Sequence, residues 1–325
     1  MNTYAPPFKL TNTMLDLVAS ISEKVGRITT GKNLESKPHL RKNNRVKSIY
    51  SSLKIEANSL TIGQVRDVID GKLVLGEQKE IQEVKNAYEA YEKINEIDPY
   101  DIEELKHIHG IMTKYLIDES GCFRHGEEGV FNGEECIFMA PPARFVPHLM
   151  EELFDWMERE KEEVHPLILS CVFHYEFELI HPFADGNGRM GRLWHTLLLS
   201  KWNPIFAWLP IESIIHDNQS EYYNAINISN NNGNSTVFIE FMLSVIKQAL
   251  QESINDKPKN ISSKSDLRWN KINDYLETHE YILNSDVQKL LGVSSATSTR
   301  ILVGFMKDGK LKRIRIKSCW GYVII

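Results

Sequence analysis

Twelve consecutive residues, HPFADGNGRMGR at positions 181 to 192, combine residue types that phosphate chemistry requires. Gly186 and Gly188 have no side chains, so backbone N–H groups can converge there on an anion. The helix expected to begin directly afterwards would point its positive end at the same place. The segment therefore predicts a site that binds phosphate groups.

The charged and titratable residues of this segment add catalytic functions to the phosphate site. Arg189 and Arg192 lie three positions apart, and cations at a helix N-terminus are unfavourable unless an anion offsets them. Asp185 offers a hard carboxylate oxygen for Mg²⁺, and His181 can accept a proton near neutral pH. Alone, DGNG would indicate a tight turn, and a histidine before proline would indicate a structural residue. The combination favours phosphoryl or nucleotidyl transfer.

Two apolar segments flank these residues and must position them. The preceding segment, HPLILSCVFHYEFELIHPF at 165 to 183, is apolar on nearly every face of a helix. The following segment, RMGRLWHTLLLSKW at 189 to 202, is also helical in pattern and strongly apolar. We therefore expect two buried helices joined by one polar, glycine-rich loop.

The 181–192 segment fills every position of the motif HxFx(D/E)GNGRxxR and resembles the Fic (filamentation induced by cAMP) family. The resemblance covers roughly residues 90 to 250, including the helical context on both sides. It implies an all-α Fic fold with a short β-hairpin flap. It also implies the transfer of AMP from ATP, with Mg²⁺, to a Ser, Thr or Tyr hydroxyl of a target protein.

The resemblance assigns roles to single residues of the segment. His181 would deprotonate the target hydroxyl, Asp185 would hold Mg²⁺, and Phe183 would anchor the loop in the core. Arg189 would neutralise charge on the α- and β-phosphates, and Arg192 would meet the γ-phosphate. The residues implied to bind ATP are Gly186, Asn187, Gly188, Arg189, Arg192, Tyr222 and Tyr223, the two tyrosines enclosing the adenine.

Two further parts of the site follow from the resemblance. The hairpin predicted at residues 127–139 looks like the family's flap, on which a strand of the target protein docks. Upstream, SSLKIEANSLT at 51 to 61 resembles the inhibitory motif (S/T)xxxE(G/N), with Ser52 and Glu56 in register. Glu56 would pair with Arg192 and take the place of the γ-phosphate. Ala57 departs from the motif, in which Gly or Asn is usual. This departure affects the local geometry expected next to Glu56, and it leaves the expected charge pairing with Arg192 unchanged.

The C-terminal residues form a separate pattern, of three helices followed by two strands, that resembles a winged helix-turn-helix (α+β). Ser294 would cap the recognition helix. Between Arg300 and Lys317 there are seven Lys or Arg residues and one Asp, a local charge of +6. This charge favours DNA contact through residues 294–317, although winged helices also serve as protein-docking modules.

These patterns divide the 325 residues into four parts. They are an N-terminal helical region with the inhibitory helix (1–90), the Fic core (91–250), a polar linker (251–265) and the winged-helix-like domain (266–325). The net charge of −6 argues against a general nucleic-acid or membrane coat. The four scattered cysteines indicate neither a zinc site nor a disulfide framework. No signal peptide or membrane span is predicted, so we expect a cytoplasmic protein. The resemblance to the Fic family also implies a homodimer.

Several alternative functions fit the same residues. The loop could transfer UMP, phosphate or phosphocholine instead of AMP, or it could remove AMP from a modified protein with Glu56 orienting a water. The chain could instead be a DNA-binding regulator whose Fic portion senses nucleotide, although a sensor needs no base such as His181. A metal-dependent phosphohydrolase would require more Asp or His ligands than this loop offers.

Overall fold

The computed structural model describes residues 4–30, 38–132, 135–255, 264–276, 279, 281–316 and 319–324. The chain separates into two compact units, Met1–Asn255 and Asp256–Ile325. Helices dominate both units, as the sequence predicts. The described part of the first unit contains one β-hairpin, and that of the second contains a small sheet.

The first unit is built from eleven described helices, a hairpin and two short 3-10 turns. In chain order these are α1 (Asn12–Thr30), α2 (Pro38–Ile55), α3 (Ile62–Ile69), α4 (Gln78–Glu92), α5 (Ile102–Met112), β1 (Gly129–Asn132), β2 (Glu135–Met139), a turn at Ala143–Phe145, α6 (Val146–Glu160), α7 (Pro166–Ile180), α8 (Asn187–Trp202), a turn at Pro204–Trp208, α9 (Ile211–Asp217), α10 (Gln219–Asn232) and α11 (Thr236–Asn255).

Helices α7 and α8 lie at the centre of the first unit and pack along each other. Their apolar residues are buried on all sides, and the fully buried side chains include Phe173, Phe177 and Trp194. Pro166 occupies the first turn of α7, where its missing N–H costs no hydrogen bond. The two buried helices and the loop between them, residues 181–186, are arranged as the sequence predicts. We call residues 181–186 the catalytic loop.

Helix α2 lies beside α9 and reaches α8 with its C-terminal end. Its buried apolar residues are Val46, Ile49, Leu53 and Ile55. Its contacts with α9 include polar ones, because Ser48 donates a hydrogen bond to Glu212 and Ser51 bonds to Ser213. The helix that carries Glu56 is therefore held partly by hydrogen bonds.

Strands β1 and β2 form the antiparallel hairpin predicted at residues 127–139. Gly129 pairs with Met139 and Asn132 pairs with Glu135, with a register irregularity between Val130 and Phe131. The turn residues 133–134 lie outside the described residues. The chain enters and leaves the hairpin beside the catalytic loop, since the N–H of Arg124 donates to the carbonyl of Pro182.

The linker predicted at 251–265 is shorter than expected. Helix α11 continues to Asn255, and the next helix begins at Lys264, so both ends of the predicted linker are helical. Residues 256–263 lie outside the described residues. The error arose because the exposed end of a helix is as polar as a linker. Nothing in the fold tests the predicted boundary at residue 90, which stays a prediction.

The second unit contains three helices and three strands in its described part. They are α12 (Lys264–Leu276), β3 (Ile282–Leu283), α13 (Asn284–Leu291), α14 (Ser295–Lys307), β4 (Leu311–Ile316) and β5 (Cys319–Ile324). The antiparallel sheet has the order β3-β5-β4 and packs over a separate core that includes Ile272, Leu302 and Phe305. Ser294 stands at the N-cap of α14, but its hydroxyl contacts the Thr297 hydroxyl rather than a backbone N–H. The assignment as a winged helix stays a prediction.

None of the helices in the described part of the chain is long and apolar enough to cross a membrane.

Candidate active site

The catalytic loop begins and ends with residues in the left-handed backbone region. His181 ends α7 with φ 51° and ψ 60°, and Gly186 precedes α8 with φ 87°. For a residue with a side chain this region costs about 1–2 kcal/mol, so its surroundings must hold His181 in place. A Cβ at Gly186 would also lie 3.1 Å from the Thr113 methyl group. The loop therefore has one shape, which its neighbours impose.

Asn187 and Phe183 brace the loop from inside. The Asn187 side chain accepts a hydrogen bond from the Phe183 N–H (2.9 Å) and donates one to the Phe183 carbonyl (2.7 Å). Phe183 itself is fully buried. The sequence predicts that Asn187 binds phosphate, but both ends of its side-chain amide are used within the loop. Only the backbone of Asn187 is left for an anion at the start of α8.

His109 of α5 supports the catalytic loop through hydrogen bonds and a ring contact, and it is not among the residues that the sequence predicts. Its Nδ1 accepts the Gly121 N–H at 3.0 Å, so its Nε2 carries the proton and donates to the Asp185 carbonyl at 2.9 Å. Its ring stacks on Phe183 with centroids 3.7 Å apart. Burial lowers the pKa of His109 to about 4, which keeps it neutral. In the sequence, His109 occupies a position on the apolar face of an amphipathic helix, so no pattern distinguishes it from a residue of the hydrophobic core.

His181 is half-buried, and burial lowers its pKa below the ordinary value of 6.5. The nearby Arg124 cation lowers this pKa further. A hydrogen bond to the Glu178 carbonyl and the carboxylates of Glu56 and Asp185 act in the opposite direction. The net result is an imidazole that is neutral near pH 7 and can accept a proton.

Arg189 is a buried cation with unused donors. Its Nη2 donates to Asp185 Oδ1 at 2.7 Å, and Glu83 lies 3.8 Å from its Nη1. Among the described residues, neither its Nε nor its Nη1 has a hydrogen-bond partner. A buried guanidinium left with unpaired N–H groups beside a helix N-terminus fits an anion such as phosphate.

Asp185 is the carboxylate available for a metal ion in this loop, and its side chain is 38% exposed. Within the described ranges no group of three or more His, Cys, Asp or Glu residues could hold a metal by itself. Mg²⁺ commonly binds through one or two carboxylates together with substrate phosphates. The single carboxylate beside an anion site fits that arrangement, so the residues suit Mg²⁺ bound with a nucleotide.

Arg192 and the segment that contains Ser52 and Glu56 meet directly at the start of α8. Arg192 Nη2 donates to Glu56 Oε1 at 2.7 Å and to the Ser52 carbonyl at 3.0 Å, and Nε donates to the Ser52 hydroxyl at 3.1 Å. Gly188 leaves room for this contact, because a Cβ there would overlap the Glu56 carboxylate and push it aside. The predicted pair of Glu56 and Arg192 is thus present, and Ser52 takes part in it.

Ala57, which departs from the motif, occupies a position that requires a positive φ. Helix α2 ends in a Schellman arrangement, in which the Asn58 N–H bonds to the Leu53 carbonyl and the Ala57 N–H bonds to the Lys54 carbonyl. Ala57 has φ 65°. Gly or Asn would adopt this conformation more readily, which explains the usual residue in the motif. The alanine keeps the geometry at a cost in strain.

The structure separates the two predicted adenine-binding tyrosines. Tyr222 is 1% exposed, and its hydroxyl lies 3.1 Å from His174 Nε2, so it belongs to the core below the site. Tyr223 packs edge-on against Tyr222 and is 44% exposed. Of the two, only Tyr223 could contact a base directly.

Comparisons with known proteins agree with this geometry. The sequence profile of the Fic/DOC family matches residues 99–199. The chain is similar to a crystal structure described as a Fic family protein from Desulfovibrio desulfuricans G20, with 40% identity and a TM-score of 0.75. That match covers 99% of this chain and 98% of the other.

Curated relatives are more distant and longer. The chain is 26% identical to the protein adenylyltransferase fic-1 of Caenorhabditis elegans, over 63% of this chain and 40% of that protein. It is 28% identical to a protein adenylyltransferase Fic of Nematostella vectensis, over 72% of this chain and 54% of that protein. The chain thus spans about two fifths to one half of the length of these relatives.

Proposed function

Because the chain belongs to the Fic family, we propose that it transfers AMP from ATP to a Ser, Thr or Tyr hydroxyl of a target protein. The observation that carries the proposal is the anion site at the start of α8, where buried Arg189 has unpaired donors and the preceding loop begins at a neutral His181. Curated relatives named protein adenylyltransferase support the same chemistry.

His181 supplies the base. With its pKa lowered, the imidazole is free to take the proton of an acceptor hydroxyl as that oxygen attacks the α-phosphorus. The bond between the α-phosphorus and the oxygen that bridges to the β-phosphate breaks, and pyrophosphate leaves. Its left-handed backbone directs the ring out of the end of α7 instead of continuing the helix. His109 and Asn187 fix the loop that follows, so the base and the phosphate site keep a constant separation.

The start of α8 binds the triphosphate. Backbone N–H groups around Gly186 and Gly188 and the positive end of the helix attract phosphate oxygens, and Arg189 offers its free donors to them. Asp185 would hold Mg²⁺, which neutralises charge on the phosphates when bound. Arg192 would bind the γ-phosphate once Glu56 has left it.

Glu56 inhibits this reaction in our proposal. Its carboxylate occupies the space above Gly188 that a γ-phosphate would need. Two opposite unit charges about 4 Å apart near a protein surface attract each other by on the order of 4 kcal/mol before desolvation is counted. Even a third of that shifts occupancy about tenfold. Activation therefore requires α2 to move or Glu56 to turn away from Arg192.

The target protein would dock on the hairpin at residues 127–139. Strand addition would supply main-chain hydrogen bonds from β1 or β2 and place the acceptor hydroxyl beside His181. This mode of binding depends little on the target sequence. A homodimer is our expectation for the assembly.

The test is the incorporation of AMP from α-labelled ATP by the wild type, Glu56→Gly and His181→Ala. We expect Glu56→Gly to raise incorporation strongly and His181→Ala to abolish it in either background. Equal labelling by the wild type and Glu56→Gly would remove the inhibitory role. A panel of labelled nucleotides would decide between AMP and other groups, and release of AMP from labelled protein would reveal the reverse reaction.

For the second unit we propose contact with duplex DNA. Strand β4 exposes Lys312, Arg313 and Arg315, and the two guanidinium groups lie 4.0 and 5.0 Å from the ring centre of Trp320, which is 43% exposed. Helix α14 carries Arg300 and Lys307 and no acidic residue. Such a surface complements phosphate charge.

Fluorescence anisotropy with a random-sequence duplex tests this contact in the full chain. We expect binding that weakens steeply with salt, and weaker binding for Arg313→Ala/Arg315→Ala. The absence of binding at low ionic strength would exclude DNA and leave protein docking as the role of this unit.

A further inference from the structure

Arg124 is a buried cation that bonds to backbone carbonyls rather than to an acid. It is 2% exposed and precedes the hairpin in the chain. Among the described residues no carboxylate forms a salt bridge with it. Its Nε and both Nη atoms all donate to main-chain oxygens. Burying an unpaired guanidinium is costly, so these carbonyls must compensate for its lost hydration.

The carbonyls bound by Arg124 belong to two separate parts of the proposed site. Two of them lie at the C-terminal end of α7. The His181 carbonyl is 2.7 Å from Nε, and the Ile180 carbonyl is 3.4 Å from Nη2. The other two flank the hairpin, at Gly126 (2.8 Å) and Pro141 (2.5 Å). One side chain thus connects the catalytic base to both ends of the hairpin.

The rigid, planar shape of the guanidinium is what makes this connection work. Its donors point in fixed directions, so holding two carbonyls on one side fixes the directions available on the other. The carbonyls at the end of α7 carry the negative end of the helix dipole, which favours a cation there. The contact with His181 also helps to hold that residue in its left-handed conformation.

We propose that Arg124 is a positioning residue of the transfer reaction, which sets the distance between the hairpin and His181. A target strand paired with β1 or β2 would then present its hydroxyl to the imidazole in a fixed geometry. This inference rests on the proposed function. Arg124 lies on the hairpin side of His181 and makes no contact with the phosphate site at α8. It should therefore affect the rate of transfer and not the binding of ATP.

The experiment uses the full chain with Glu56→Gly as the parent, so that inhibition does not mask the effect. Arg124→Met removes the charge and all the bonds, and Arg124→Lys keeps the charge but replaces the fork with one nitrogen. Arg45→Lys is the matched control, since Arg45 is a buried arginine that packs on Tyr91 and Trp208 away from the loop. The rate constant of AMP incorporation into the chain itself and the MgATP concentration at half-maximal rate are measured for each variant.

We expect Arg124→Met to lower the rate constant about 100-fold, the loss typical of a misplaced reacting group. Arg124→Lys should lower it about tenfold, as expected for one or two lost hydrogen bonds to a charged donor. The half-saturating MgATP concentration should stay unchanged in both, and Arg45→Lys should match the parent. An unchanged rate constant in Arg124→Lys would overturn the proposal. So would a loss that appears only as weaker MgATP binding.

Hydrogen exchange keeps the proposal testable if Arg124→Met fails to fold. In Arg124→Lys we expect faster exchange at the amides of Arg124 and Ala140, which bond to the Pro182 and Glu128 carbonyls, with protection of α7 and α8 unchanged. Unaltered exchange there would contradict the connection. If the parent incorporates no AMP, the proposed function fails, whereas the exchange result still decides whether Arg124 ties the hairpin to the loop.

Discussion

Two helices of the first unit end at the proposed active site, and they are held in different ways. Helix α7 ends at His181 (φ 51°) and α2 ends just before Ala57 (φ 65°), so a non-glycine residue in the left-handed region terminates both. Helix α7 is buried among apolar side chains on nearly every face. Helix α2 also buries four apolar residues in the same core, and in addition it bonds to α8 and α9 through serine hydroxyls. Helix α7 is thus held mainly by close packing, whereas α2 combines packing with buried hydrogen bonds.

The polar contacts of α2 converge on two charged groups. Ser48 donates to Glu212 at 2.7 Å, and the same carboxylate accepts hydrogen bonds from Tyr91 and Thr196. Ser52 bonds to Arg192, as does Glu56. Hydrogen bonds to charged groups contribute about 1.5–3 kcal/mol each, so these serines account for a measurable share of the free energy that holds α2 in place.

The largest expected effect comes from truncating a side chain of α7. Phe173 is fully buried and packs against Phe154 and Phe177. Phe173→Ala should lower the free energy of unfolding by about 3–5 kcal/mol, measured by urea denaturation. The ratio of AMP incorporation with and without Glu56→Gly should stay the same, because packing of α7 supports both states equally. A changed ratio would show that α7 takes part in inhibition and would break the comparison.

A smaller effect is expected from the polar contact of α2. Ser48→Ala leaves one oxygen of Glu212 without its donor and should cost about 1–2 kcal/mol. Since this cost falls on the closed position of α2, AMP incorporation should rise several-fold. Thr196→Val is the matched control. Thr196 lies on α8, and its hydroxyl donates a hydrogen bond to the same Glu212 carboxylate. Equal activation by both variants would mean that general loosening, and not release of α2, is responsible.

The sequence predicts the parts of the site whose chemistry is contiguous. His181, Asp185, the glycines and both arginines lie within twelve residues, and the apolar segments on each side predict α7 and α8. The predicted contact between Glu56 and Arg192 is present across 136 residues, because the motif supplied both partners. The short hairpin predicted at residues 127–139 is also present, as β1 and β2.

Residues that act through distant backbone groups could not be predicted. Arg124 and His109 bond to carbonyls 57 and 76 residues away, and Ser48 meets Glu212 across 164 residues. A backbone carbonyl has no sequence signature, so nothing marks the partner of a buried donor. The contact of the Asn187 side chain with the Phe183 backbone has no sequence signal either, and a role of Asn187 in binding phosphate stays a prediction. Strand β3, with two residues, is too short to show a pattern.

One polar group within α7 sharpens the comparison further. Glu176 is 4% exposed, its Oε2 accepts from the Tyr4 hydroxyl, and burial raises its pKa from 4.5 to about 7. A carboxyl whose pKa is higher in the folded state binds its proton more tightly there. Stability is therefore lost as pH rises from about 4.5 to about 7.

Glu176→Gln removes that penalty. Relative to the wild type we expect it to gain on the order of 1 kcal/mol at about pH 8 and nothing near pH 4.5, measured by thermal unfolding at several pH values. AMP incorporation by the Glu56→Gly form should not change, because Glu176 faces Tyr4 and not the loop. A gain that is equal at all pH values would mean that the pKa of this carboxyl does not differ between the folded and the unfolded chain.

The smallest expected effect concerns the end of α2. Ala57→Gly relieves the strain of a positive φ at a position where glycine costs little, so the inhibitory helix should gain about 0.5–1 kcal/mol. Ala57→Val is the opposing variant, since a β-branched residue tolerates this conformation less well than alanine. We expect AMP incorporation to fall slightly in the first and to rise in the second. The Schellman bonds of Ala57 and Asn58 hold Glu56 toward Arg192 only while the C-terminal turn of α2 stays intact. Identical labelling by both variants would show that this turn does not set the strength of inhibition.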